Sequence, residues 1–177
     1  MAKFMIKEVI DSSVVPQTVR LGAGTGAANH LTDVEQGKFV KFAGESRYQL
    51  AAAGDLIEGH IVAVEGATAD DYTIGSIVKE GAKEVMFDGL QATPGVGVVA
   101  IGDFVVVGTV VAKGTTLGND VAKVGKATLQ PGTTEAAAVG DVNDHIKASM
   151  YAWKVVSLGS AGTGAVGTTG VIERVGA

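Results

Sequence analysis

The densest run of apolar positions, Val98 to Leu117, is built from β-branched residues and is interrupted at Gly102-Asp103, at Gly108 and at Lys113-Gly114. That pattern predicts short buried strands separated by tight turns and makes this stretch the central pair of strands in a β core. A helix over the same window would be penalised at nearly every valine and glycine. Upstream, charged and apolar residues alternate from Lys38 to Phe42, the signature of a half-buried strand, after a turn or single helical turn at Asp33 to Gly37. Arg47 to Leu50 extends the pairing, and Gly59 to Glu65 forms a further strand. Tyr72 to Lys79 and Lys83 to Phe87, separated by Glu80-Gly81-Ala82, predict a hairpin. Trp153 to Leu158 and Gly170 to Val175 predict the closing strands. Before them, residues 118 to 144 form a long polar and alanine-rich loop, with Glu135 to Val139 as the one place for a short helix.

The plan repeats. The segment from Gly37 to Phe42 is echoed by Gly102 to Val107, His60 to Val64 by Lys154 to Leu158, and Glu84 to Phe87 by Gly170 to Glu173. The offsets are not constant, which suggests two related β halves, 31–90 and 98–177, within one β-rich domain at 31–177. Residues 1–30 read differently. Phe4, Ile6, Val9, Ile10, Val14 and Val15 supply apolar side chains, Pro16 biases the backbone toward extension, and the Gly/Ala-rich stretch from Leu21 to Ala28 is permissive. The expectation is an extended N-terminal arm whose apolar residues dock on another surface; the alternative is an arm that adds an edge strand to its own sheet.

Composition fits this picture. Glycine is 26 of 177 residues, about twice its usual share of ~7 %, and aromatic residues are few, so turns are many and packing is thin. The fold class expected is all-β, a small β-sandwich or barrel-like domain with the N-terminal arm and at most one short helix. A net charge of -5 with basic residues scattered singly argues against a nucleic-acid partner. The absence of cysteine removes disulfides, thiol catalysis and thiolate metal sites. No secretion signal and no membrane anchor are read at the start of the chain.

Candidate chemistry does not accumulate. Gly162 to Gly167 matches G-x-G-x-x-G, yet the chain stops ten residues later, too soon for the helix, strand and acidic residue that dinucleotide binding requires. The Gly22 to Gly26 stretch fails likewise, and neither ends in Gly-Lys-Ser/Thr. His30, His60 and His145 are far apart and unpaired in spacing. Asp141, Asn143, Asp144 and His145 gather ligand atoms without the glycine and distal glutamate of a calcium loop, so a solvated turn is favoured. The serines lack a nucleophile-elbow context. Asp70-Asp71 lies in a turn without an apolar setting to raise a pKa. Tyr151 and Trp153 share a sheet face and read as core. No enzyme activity, cofactor or metal is expected.

With those elements in view, the chain resembles the head decoration, or cement, proteins of tailed bacteriophages. The resemblance rests on Asp33 to Phe42 (D-x-E-x-G-K-F-V-K-F), on Gly54 to Gly59 and onward to Glu65, on Gly102 to Val107 and on the strand from Gly170. It spans Leu31 to the C-terminus and is one of turn placement, with the 118–144 insertion as a departure. It implies a β-rich virion structural protein on the capsid exterior, made in the host cytoplasm, that binds the major capsid protein as a homotrimer. The N-terminal arm would contribute to that contact. Other readings are a head fibre or tail subunit, or a small carbohydrate-binding module.

Overall fold

The computed structural model describes residues 15–90, 98–110, 112–118, 121–127 and 150–175. The fold is all-β, and the described residues hold ten strands: β1 Gln17–Leu21, β2 Phe39–Phe42, β3 Arg47–Leu50, β4 Gly59–Ala67, β5 Thr73–Val78, β6 Ala82–Leu90, β7 Val105–Val107, β8 Ala122–Lys126, β9 Trp153–Ser157 and β10 Thr169–Arg174. Two single-turn 3-10 helices, Ala27–Asn29 and Asp33–Glu35, lie between β1 and β2.

The first five strands close into a barrel in the order β1-β3-β2-β4-β5, with β5 returning to β1. Within it β1 runs parallel to β3 and every other pairing is antiparallel. The last five form a sheet in the order β7-β8-β6-β10-β9, where β6 runs parallel to β8. An isolated bridge between Phe104 and Lys154 curls its two outer strands toward each other. Adding five to each label of the first unit therefore reproduces the second.

The correspondence holds residue by residue. Gly37 N–H donates to Ile61 O and Ile61 N–H to Lys38 O; Gly102 donates to Val155 and Val155 to Asp103 in the same way. Ala51 N–H donates to Phe39 O, and Ala127 N–H to Phe104 O. Both glycines that start this turn have left-handed backbones, with φ of 81° at Gly37 and 92° at Gly102, where a side chain would be strained. The ladder also slips at equivalent places in the two units, at Val62 in β4 and Val156 in β9, with a further slip in each, between Val64 and Gly66 and between Phe87 and Gly89. At the equivalent inward positions the first unit buries Leu21, Val40, Tyr48, Ile61 and Ile77, and the second Phe87, Val105, Val124, Val155 and Ile172. Where one strand pair carries Leu with Tyr, the other carries Phe with Val. The larger and smaller side chains trade places, which keeps the enclosed volume close to constant, as dense interiors demand.

The units interlock. The connection between β3 and β4 crosses to the second unit, where Gly54 N–H donates to Val107 O (2.8 Å) and Val107 N–H to Asp55 O (3.0 Å). Phe39, Ala51 and Ile57 of the first unit thereby join the core around Trp153 and Phe87. From the other side, Arg174 donates to Lys79 O at 2.9 Å.

Several sequence expectations change. The Tyr72 to Phe87 hairpin does not form, because β5 completes the barrel while β6 opens the second sheet, so Lys79 to Gly81 is a crossover between units. The halves accordingly meet between Val78 and Ala82 and not between residues 90 and 98. The Val98 to Leu117 stretch is not a central strand pair. Among its described residues only Val105–Val107 forms a strand, at the sheet edge, and Val99 makes a lone bridge to Gly164. The 118–144 stretch read as loop contains β8, which lies inside the sheet between β7 and β6. Of the arm at 1–30, Gln17–Leu21 is a barrel strand, the alternative in which this segment pairs with its own sheet. The helix expected at Glu135 to Val139 lies outside the described residues.

Candidate interaction groove

At one end of the junction between the units the surface opens into a groove of about 380 Å³. Its apolar lining comes from Phe42, Tyr48, Ile57 and Met150, and its charged groups are Glu58, Lys79 and Arg174. Phe42 and Met150 are more than half exposed, at 52% and 57%. Phe42 ends β2 with its ring edge-on to Tyr48 (centroids 5.4 Å apart), and the Lys79 ammonium sits 4.8 Å from the centre of the Tyr48 ring. The N–H of Phe42 donates to the Glu58 carboxylate. Lys79 and Arg174 hold equivalent places, one past β5 and one at the end of β10, so two cations from the two units flank the opening.

The N-terminal segment enters at this end. Gln17 pairs with Ile77, two residues from Lys79. Of the candidate arm residues, Val15 is described and is 76% exposed; Phe4, Ile6, Val9, Ile10 and Val14 lie outside the described residues. Sequence reading missed the groove because its walls come from six separate segments, and the one local signal was Phe42, an aromatic residue at the exposed end of a strand.

Two buried ionisable groups stand elsewhere. Glu35 is fully buried, with one carboxylate oxygen accepting from Thr32 N–H (2.7 Å) and the Thr32 hydroxyl (3.0 Å) in a capping box, and the other from Lys38 Nζ (3.4 Å) and Gly114 N–H. Burial alone raises its pKa; the hydrogen bonds from Gly114 and Thr32, with the Lys38 charge, outweigh burial and hold it below the usual carboxylate value. Lys38 also donates to Ala112 O at 2.9 Å, so the pair ties the first unit to the 112–114 turn of the second. His60, in β4, is buried with Nδ1 unpartnered. Desolvation, and secondarily the Lys83 charge, pushes its pKa down to about 3.

The other candidates disperse. His30 meets Asp71 at 3.0 Å near the surface, while Asp141, Asp144 and His145 lie outside the described residues. Gly164, within the formal nucleotide motif, forms an antiparallel bridge with Val99, its Cα packed against that residue's backbone. Trp153 is core, at 1% exposure. Among the described residues no group of three or more His, Asp or Glu converges to hold a metal, and no helix is long and apolar enough to cross a membrane. Compared with known protein families, curated proteins and solved structures, the chain matches none.

Proposed function

We propose that this chain is a decoration subunit of a tailed-bacteriophage head, a structural protein that binds the major capsid protein on the outer face of the assembled shell and self-associates as a homotrimer. The observation that carries the reading is the placement of the Phe42 groove beside the entry of the N-terminal segment. One end of the molecule thus presents an apolar surface and an apolar-rich terminal sequence together. Contiguous exposed apolar surface rimmed by charge marks an interaction site. Many copies displayed on one lattice then act with high effective concentration, so each contact can be modest. The strands that face this end are already paired within the chain, which leaves affinity to the groove and the terminus. In this role the protein performs no reaction and needs no cofactor.

The test is cosedimentation of the purified protein with preformed shells, alongside a variant lacking Met1 to Pro16. Binding by the full chain and its loss in the truncated one are expected. A truncated protein that binds fully removes the arm from the account, and a full chain that ignores shells removes the function. Labelled protein seen in electron micrographs at the tail or on fibres would assign it to another virion component.

A further inference from the structure

The second unit also reaches the first through the turn at residues 112–115, which Thr115 N–H closes by donating to Ala112 O at 3.1 Å. Gly114 N–H donates to Glu35 Oε1, and Ala112 O accepts from Lys38 Nζ at 2.9 Å. Among the described residues, the turn's one other hydrogen bond to the first unit is Lys113 Nζ to Ala28 O, at the surface. Val110 and Leu117, on either side of the turn, wall a cavity of about 30 Å³ whose first-unit lining includes Phe39, Leu50 and Ala51. Lys38 lines it too, with a side chain only 5% exposed. The turn thus closes over a buried cation.

Four donors converge on the Glu35 carboxylate: Thr32 N–H and hydroxyl on Oε2, Lys38 and Gly114 on Oε1. A proton added there finds one group able to turn round and accept it, the Thr32 hydroxyl, since an ammonium and amide N–H groups only donate. Oε1 is then a neutral carbonyl, its charge-assisted hydrogen bonds weaken, and Lys38 is left buried without a counter-charge. The other charged or titratable side chains on the surrounding elements are Asp33, Lys113, Lys123 beside the cavity, Asp88 bonded to Thr109 at its rim, and His60 and Glu65 on β4. Among the described residues, none of these acids meets Lys38.

We propose that Glu35 is an acid-sensitive latch: when its carboxylate takes up a proton, the 112–115 turn lifts off the first unit so that water reaches Lys38, and the cavity between the units opens while both units stay folded. The cost of an unpaired buried ammonium drives the release, and lifting the turn relieves it because the turn is part of what covers the cation. The direction follows from linkage. Docking holds the Glu35 pKa below its ordinary value of 4.5 and release restores it, so docking is complete above 4.5 and is lost as pH falls below. The latch is independent of the decoration reading, and its test involves no shell.

The chain has no cysteine, so a single introduced thiol reports cleanly. Leu117→Cys places one in the cavity wall, and Val155→Cys places one in the core around Trp153. Each full-length variant is treated with a pyridyl disulfide, which labels thiols in acid as well as at neutral pH, while Trp153 fluorescence follows the fold. The Leu117→Cys thiol should react about tenfold faster for each pH unit below 4.5, with Val155→Cys still protected and the fluorescence unchanged. Glu35→Gln, which keeps the shape and removes the charge, should make the Leu117→Cys thiol reactive at neutral pH. Adding Lys38→Met should restore its protection, because no buried cation then needs water. Thiols at 117 and 155 that become reactive together, as the Trp153 signal is lost, overturn the latch and leave Glu35 acting on global stability alone. Protection in Glu35→Gln equal to that of the parent overturns it as well, as does reactivity that Lys38→Met fails to reduce. Should Glu35→Gln not fold, the acid titration of the parent decides.

Discussion

Gly75 and Gly170 hold the same position in the two units, and each gives up its Cβ space to a side chain of a neighbouring strand. A Cβ at Gly75 would stand 2.5 Å from Leu21 Cδ1, and one at Gly170 2.5 Å from Phe87 Cζ, with a backbone oxygen nearer still, Ala63 O at 2.3 Å and Ser157 O at 2.4 Å. Neither backbone can retreat, since each lies in a paired strand. Gly75→Ala and Gly170→Ala are expected to destabilise the protein by about 2–3 kcal/mol each through overpacking. Gly118→Ala, which meets open space, should change stability by less than about 0.5 kcal/mol. Urea unfolding of the three variants checks both statements.

Glu35 and Lys38 form a buried pair whose value appears when one member is removed. Glu35→Ala leaves the Lys38 ammonium, 5% exposed, with Ala112 O as its remaining partner, and should cost about 3–5 kcal/mol. Glu35→Ala combined with Lys38→Met should cost clearly less than Glu35→Ala alone. Equal losses in the single and double variants, measured by denaturant titration, would show that the pair is not coupled.

Acid should weaken the fold through His60. The unfolded chain protonates this imidazole as pH falls through its ordinary value of 6.5, while the folded chain resists down to about 3. Stability is therefore full above pH 6.5 and declines by up to about 1.4 kcal/mol per unit on the way down toward pH 3. Glu35 acts in the same sense at lower pH: its folded pKa is depressed, so its contribution is present above 4.5 and lost as pH drops further. His60→Asn should flatten the pH 4.5–6.5 portion of the stability curve and leave the steeper acid limb. Chemical-denaturation midpoints across that range decide it.

Asp55 anchors the turn that pairs with Val107. Its carboxylate accepts from Ala52 N–H at 2.7 Å and meets Lys41 at 2.6 Å. Asp55→Ala should cost about 1–2 kcal/mol, mostly through the lost turn hydrogen bond. The diagnostic readout is amide exchange: Val107 N–H should exchange faster while Ile61 N–H, inside the first barrel, keeps its protection.

Apolar runs between turn residues made β2 and β4 legible, although both strands begin buried on both faces, with Phe39 in one core and Val40 in the other. The echoes at Gly37/Gly102 and His60/Lys154 correctly join β2 to β7 and β4 to β9. The third echo joined β6 to β10, which pair within one sheet, because Val and Glu at similar spacing look alike wherever a strand is half-buried. Strand β8 was illegible: Ala-Lys-Val-Gly-Lys at 122–126 has little apolar content, and its burial comes from parallel pairing with β6, far back in the chain. The Glu80-Gly81 turn has the local chemistry of a hairpin, and no nearby residue announces that the strands on either side belong to different units. The groove was unreadable for the same reason, since Phe42 and Met150 become neighbours only once both units are assembled.

The Gly54-Asp55 turn also fixes an order of events. A ribosome releases the N-terminal unit first, and that unit encloses Leu21, Val40 and Ile77 using strands it already possesses. The later unit emerges with the edge at Val107 unfilled, and the piece that fills it has been made and shaped beforehand. The early half of the molecule thus serves the late half as a scaffold during synthesis, and a circular permutant that reversed their order would expose the Val107 edge to the solvent for as long as the remaining residues took to appear.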